Sequence, residues 1–130
     1  MRNNIVIKFI IILALVLRLI GINRGLWAEE IISINTLSNN PIFNPFYYNT
    51  TTNLPLYFYI LKMVTFGGLI TNTVFLRLVS IALNIINIFF VYKYFKVKNF
   101  AHINIFTAIL ITIAPLQIHY AQEIRPYALD

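Results

Sequence analysis

A chain of 130 residues that is 59% hydrophobic and 11% charged, with a mean hydropathy of +0.76, is far more apolar than an average soluble domain and reads as a membrane protein. The formal charge of +6 does not point to nucleic acid, because the ten Lys and Arg are scattered among apolar segments rather than gathered on one polar face. With no cysteine and only His102 and His119, neither a disulfide framework nor a thiolate metal site is available, and a His cluster is disfavoured.

The first apolar run, IVIKFIIILALVLRLIGI at 5–22, follows the basic start MRNN. It is longer than the apolar part of a secretory signal and no A-x-A cleavage site follows, so an uncleaved signal anchor is expected. Next comes LWAEEIISINTL, where Glu29 and Glu30 stand side by side. Helical spacing predicts a polar stripe of Glu29, Ser33 and Thr36 and an apolar side of Trp27, Ile31 and Ile34, with Glu30 leaning toward Ile34 and Leu37. The two carboxylates then cannot both serve one reacting atom: one acts and the other supports. Acids in a first turn are also favoured by the helix dipole for stability alone.

The segment SNNPIFNPFYYNTTTNLPLY is rich in Asn, Pro and Tyr and reads as an ordered surface loop leading into an interfacial helix at 55–66. Its Asn49 sequon carries no weight in an Asn-rich chain. Leu54 to Ile70 holds Lys62 and spans poorly, whereas Val74 to Tyr92 and Ala101 to Ile118 are long enough to cross a ~30 Å hydrocarbon core, with Arg77 near enough to an end to snorkel. Lys93, Lys96 and Lys98 belong on the cytoplasmic side by the positive-inside rule. These choices predict an all-α membrane protein with three transmembrane helices at about 5–22, 74–92 and 101–118. A long external loop at 23–72 carries interfacial helices, the end at 119–130 is external, and the N-terminus is cytoplasmic. Glu29, Glu30, Glu123 and Asp130 then share the external face. Asn84, Asn87 and Asn104 inside the spans predict further helical neighbours.

The last stretch, PLQIHYAQEIRPYALD, crowds His119, Tyr120, Gln122, Glu123, Arg125 and Tyr127 where the third span ends. Pro126 disfavours helix at Arg125, which should project from a bend. A guanidinium there can hold a phosphate by paired donors, or can bind lipid headgroups while pairing with Glu123.

Four segments in order resemble one family. RLIGINRGLWAEEIIS is similar to the first external loop of polytopic glycosyltransferases that use lipid-phosphate-linked sugars, the GT-C class of protein O-mannosyltransferases and aminoarabinose transferases. NLPLYFYI resembles their His-Pro-Pro-Leu-Tyr segment, FLRLVSIAL their Arg-Leu-Pro-Ser start of the second helix, and QEIRPYAL their Q-E-x-R-x-Y-A-L run. Glu29 stands where the family carries a catalytic Asp, and Asn53-Leu54 where His-Pro is usual. The resemblance implies inverting transfer from a polyprenyl-phosphate-linked sugar to an acceptor on the external face. In that reaction Glu29 is the general base, and Glu30, His119, Tyr120, Glu123, Arg125 and Tyr127 support it or bind substrate. Whether a divalent cation takes part is open; it would choose oxygen ligands. The chain is expected to be the N-terminal portion of such an enzyme, in contact with membrane lipid and inactive without further helices of its own or a partner's. The alternative is a small non-catalytic membrane subunit or scaffold.

Overall fold

The computed structural model describes residues 2–39, 55–97 and 103–125. They form α1 (Arg2–Leu19), α2 (Ala28–Asn39), α3 (Pro55–Val64), α4 (Thr73–Val97), α5 (Ile103–Ile113) and α6 (Pro115–Ala121), with no strand among the described residues. Tyr127, Asn53-Leu54, the Asn49 sequon and Lys98 lie outside them.

Helices α1, α4 and α5 pack together around Ile7, Ile10, Ala14, Ile88, Tyr92 and Ala108. Ala14 and Ala108, both fully buried, let helix backbones approach closely. The outward faces are apolar too: Ile5, Phe9 and Ile12 of α1, Phe90 of α4 and Phe106 of α5 are exposed. Helices hydrophobic all round need an apolar surrounding. Within α4, Thr73–Phe95 is long and apolar enough to cross a membrane, and α5 with α6 qualifies as one bent span. Helix α1, which carries Arg2, Lys8 and Arg18, does not qualify on the same grounds.

The single helix expected at 101–118 is instead bent by 63° at Ala114. Pro115 has no N–H to give the carbonyl of Ile111 and its ring crowds that oxygen, so α5 stops and α6 restarts with Pro at its first position. The carbonyls of the broken turn are taken up by Arg18, whose Nη2 donates to Ile111 O and whose Nη1 donates to Thr112 O, each at 3.2 Å. Arg18 Nε donates to Asn84 Oδ1 at 2.8 Å, and Asn84 Nδ2 donates to Gln117 Oε1 at 3.1 Å. Asn84 is therefore satisfied inside the chain and does not call for a missing helix. Asn104 is buried as well, its Oδ1 accepting the Ile105 N–H. Gln122, just past α6, closes the other end of the motif by donating to the carbonyls of Arg18 and Ile20 at the frayed end of α1.

A second core lies at this end of the bundle, where Leu37 of α2, Tyr57, Phe58 and Leu61 of α3, Leu76 of α4 and Ile124 meet. A helix is present where one was expected at 55–66: it is α3, which ends at Val64 in a turn. Thr65 Oγ1 donates to Leu61 O at 2.7 Å and accepts the Gly68 N–H at 3.1 Å. Gly68 has φ +95°, and a Cβ there would sit 2.6 Å from the backbone oxygen of Leu37. Both the left-handed backbone and the close approach to α2 require glycine.

Gly68→Ala should therefore destabilise the protein by about 1–3 kcal/mol through strain and a forced shift of α2. Gly25→Ala, with nothing near its added Cβ, should change stability by less than about 0.5 kcal/mol. Thermal unfolding of both variants in the same detergent checks the contrast.

Candidate functional site

Trp27 opens α2: its carbonyl accepts the Ile31 N–H, and Glu30, three residues on, reaches back to its N–H at 3.2 Å. This is one half of a capping box, and it turns the Glu30 side chain toward the protein. There Glu30, fully buried, meets Arg77 of α4, which is 1% exposed. Arg77 Nε donates to Glu30 Oε1 at 3.1 Å and Nη2 to Oε2 at 2.7 Å, a two-pronged contact. The remaining Arg77 donors go to the carbonyls of Ile22 and Arg24, each at 2.7 Å, and of Gly25 at 3.1 Å. All five N–H groups of the guanidinium are used. Glu30 is equally full, because its Oε1 also accepts the Ile124 N–H at 3.2 Å.

Arg77 is thus not a snorkelling residue, as its place near the end of an apolar run suggested. It is a buried staple for the 22–25 turn, α2 and the segment after α6. Burial alone pushes the Glu30 carboxyl up, but hydrogen bonds from Arg77, Trp27 and Ile124, with the charge of Arg77, more than offset it and hold the group below the ordinary carboxyl value of 4.5.

The same contact decides which side of α2 is buried, and leaves outside the apolar side expected to pack. A buried guanidinium demands a counter-charge, so the helix rolls Glu30 inward, and Ser33, Thr36 and Leu37 follow it on that face. Ser33 Oγ is satisfied by Glu29 O at 3.0 Å. Ile31 and Ile32 are left exposed, together with Leu26 and Trp27 in the approach to the helix. Glu29, Ser33 and Thr36 share one side of the helix as their spacing predicts, but Ser33 and Thr36 are buried while Glu29 stays largely exposed.

Glu29 stands about 100° round the helix from Glu30, and its side chain is 60% exposed. It pairs through Oε2 with Arg125 Nη1, whose side chain is 20% exposed. Arg125, for which the sequence left open a phosphate or lipid headgroups with Glu123 as partner, is seen paired with Glu29. Glu123 instead joins His119 and Arg24: His119 Nε2 lies 3.2 Å from Glu123 Oε1, and Arg24 Nη2 lies 3.7 Å from the same oxygen. Arg24 Nη1 is 3.0 Å from His119 Nδ1. An arginine can only donate, so Nδ1 faces a donor and Nε2 faces the Glu123 carboxylate, and both ring nitrogens are engaged. Tyr120 sits at the surface beside it, ring centroids 5.7 Å apart.

Trp27, Ala28, Glu29, Glu30, Glu123 and Arg125 line one cavity of about 330 Å³. The structure thus brings Glu29, Glu30, Glu123 and Arg125 to one space, with His119 linked through Glu123; Tyr127 is outside the described residues. No group of three acidic or histidine side chains that could hold a metal occurs among the described residues, and the acceptor sites of Glu30 are already filled. Sequence reasoning missed Arg24 and the true role of Arg77. The available signal was the scarcity of acids: a base set four residues into α4 needs a partner, and only four carboxylates exist to supply it. No protein-family model, curated protein or solved structure matches this chain.

Removing one partner of so dry a pair is costly, and Arg77→Met should lower stability by about 3–5 kcal/mol. In the wild type, Glu30 takes up its proton more readily unfolded than folded. Its contribution is therefore present above pH 4.5 and is lost as pH falls below that value and through the lower folded one. In Arg77→Met the sign reverses, because an unpartnered buried carboxyl is stabilised by protonation. Unfolding midpoints in detergent between pH 3 and 7 distinguish the two profiles.

Proposed function

We propose that this chain forms the external catalytic end of a membrane glycosyltransferase that takes a sugar from a polyprenyl-phosphate carrier, working with further membrane helices of its own or of a partner. The observation that carries the reading is the division of labour in the acidic pair. Glu30 is consumed by structure, while Glu29 is presented, largely exposed, at the wall of a cavity that also holds Arg125. It is supported by convergence: the four segments that resemble the family meet at one end of the bundle, through Glu30 with Arg77, Tyr57 OH with Ser80 Oγ at 2.7 Å, and Ile124 N with Glu30.

In this reading α1, α4 and the bent α5–α6 pair cross the bilayer and α2 and α3 lie along its outer interface. Glu29, Glu30 and Glu123 gather near the Arg77 end of α4, whereas Lys93 is about 24 Å away at 1.5 Å per residue. That polarity is the one the positive-inside rule asks for. The exposed Leu26, Trp27, Ile31 and Ile32 suit α2 to the headgroup boundary, with its polar side toward the protein.

The chemistry follows from the cavity. An acceptor hydroxyl attacks the anomeric carbon on the face opposite the leaving group. Glu29 takes the hydroxyl proton as the new bond forms, an effect of ~10²- to 10⁴-fold for a placed base. The bond from the anomeric carbon to the phosphate oxygen breaks with its electron pair, and the carrier phosphate leaves with an added negative charge. Arg125 and Tyr120 supply donors near that charge, and His119, engaged by Arg24 and Glu123, holds Glu123 in place. Arg125 must loosen from Glu29 as the acceptor arrives, and the growing phosphate charge gives it a second anion to move toward.

Transfer from a polyprenyl-phosphate sugar, measured in membranes where the protein works with its further helices, tests this reading. Glu29→Gln should abolish turnover while leaving insertion intact, and Glu29→Asp should keep measurable activity. Near-normal transfer by the Gln variant would remove Glu29 from the base role. Topology has its own check in this cysteine-free chain. An impermeant thiol reagent outside intact cells should label Asn35→Cys and spare Lys93→Cys, both at exposed positions; the opposite pattern reverses the assignment.

A further inference from the structure

We infer that two copies of this chain meet along the Lys93 half of α4, and that a hydrogen-bonded pair of Asn87 side chains sets their register. The inference rests on α4 crossing the membrane, as in the reading above, and not on glycosyl transfer.

The asparagines within the spans differ in what their amides meet. Asn84 is bonded through both Oδ1 and Nδ2, and Asn104 Oδ1 accepts the Ile105 N–H. Asn87, half-buried, has no side-chain hydrogen-bond partner among the described residues. It lies about 15 Å along α4 from Arg77 and about 9 Å from Lys93 at 1.5 Å per residue, well inside the apolar stretch Thr73–Phe95. So short a side chain reaches neither end of the span, and hydrocarbon offers an amide nothing to bond. The group calls for a partner from another helix.

Its neighbours show where that helix sits. Ser80, Leu83, Asn87, Phe90 and Tyr94 recur at alternating steps of three and four residues, which places them on one seam of α4. The first part of the seam is already covered: Ser80 Oγ meets Tyr57 OH of α3 at 2.7 Å, and Leu83 packs against the core that holds Tyr57, Phe58 and Leu61. Helix α3 is only ten residues long, and its cover ends there. Beyond it Phe90 is 63% exposed and Tyr94 60%. The open half of the seam therefore continues a helix contact that the fold has begun.

The chemistry of the seam selects a second copy. A carboxamide both donates and accepts, so two of them face to face satisfy each other with reciprocal N–H···O bonds. Copies inserted in the same orientation are related by a two-fold axis along the membrane normal, which sets Asn87 opposite Asn87 at one depth. Any other helix would have to bring a polar group to that level. One Asn in an otherwise apolar heptad seam is also the pattern that specifies a parallel pair in a single register. Phe90 and Tyr94 then pack against their counterparts, and the outer ends part to make room for α3.

The cysteine-free chain makes the contact testable by disulfide trapping in the membranes of producing cells. Under mild oxidation Phe90→Cys and Tyr94→Cys should give dimers of the chain, because seam positions bring Cα atoms within the ~4.4–6.8 Å that a disulfide spans. Phe89→Cys, about 100° round the helix from Phe90, should not. In liposomes, energy transfer between labelled copies over a range of protein-to-lipid ratios gives the affinity. Asn87→Leu should weaken it by about 3- to 30-fold, since lipid is as apolar as leucine and the amide pair is lost. Asn87→Gln, which keeps the amide, should lose much less. Absence of Phe90→Cys dimers, equal trapping at Phe89→Cys, or undiminished affinity in Asn87→Leu overturns the inference, as does trapping of Phe90→Cys on a different protein only. Seam dimers in a chain that transfers no sugar keep this contact and remove the transferase reading; transfer by a chain without seam dimers does the reverse.

Discussion

One desolvated ion pair organises the candidate site. Glu30 and Arg77 lie within a protein that has few polar groups with which to compensate a buried charge, and each satisfies its partner and the surrounding backbone completely. Such a pair gains little net free energy over an apolar one; what it supplies is geometry. Because Arg77 holds the carbonyls of Ile22, Arg24 and Gly25, the path from α1 into α2 is fixed. Because Glu30 holds the N–H groups of Trp27 and Ile124, the start of α2 and the end of the α6 segment are fixed against each other. Glu29 and Arg125, each adjacent in sequence to one of these anchored residues, face each other as a result.

A second buried guanidinium does comparable work about two turns further along α4, where Arg18 meets Asn84. Arg18 closes the break that Pro115 opens, and it is itself oriented by Asn84. The bend and the arginine belong together: without the proline Ile111 would have its usual helical donor, and without the arginine two carbonyls would be left open in the bundle. The bend also turns α6 so that His119, Gln122 and Glu123 come over the end of α1. The two arginines therefore divide the task, one shaping the bundle's end and the other fastening the loops onto it.

Much of this was legible in the sequence, for identifiable reasons. Proline and lysine placement marked α3 as a separate short helix, and the apolar run marked α4 closely. The adjacent position of Glu29 and Glu30 on a helix was enough to conclude that the two side chains diverge, as the buried Glu30 and the exposed Glu29 do. Three things were not legible. Which side of α2 is buried depended on a partner 47 residues away in sequence, so local periodicity grouped the residues but did not tell that the apolar side of Trp27 and Ile31 is the exposed one. Pro115 was read as the interior of a span because apolar residues continue on both sides, although its missing N–H was sufficient to predict a break. The amides of Asn84 and Asn104 implied outside partners because the pairing of Asn84 with Arg18, 66 residues away, leaves no local signal.

Glu30, Arg77 and Arg18 are spent on the fold, whereas Glu29 and Arg125 line the cavity at the surface. Hydrogen exchange tests the dependence of the one set on the other most directly. In an Arg77→Met protein that retains its bundle, backbone amides at 22–31 and at 122–125 should lose protection together, while those of α4 and α5 around Ile88 and Ala108 keep theirs. Loss confined to 22–31, with Ile124 still protected, would contradict the placement of this ion pair as the joint between the two halves of the site.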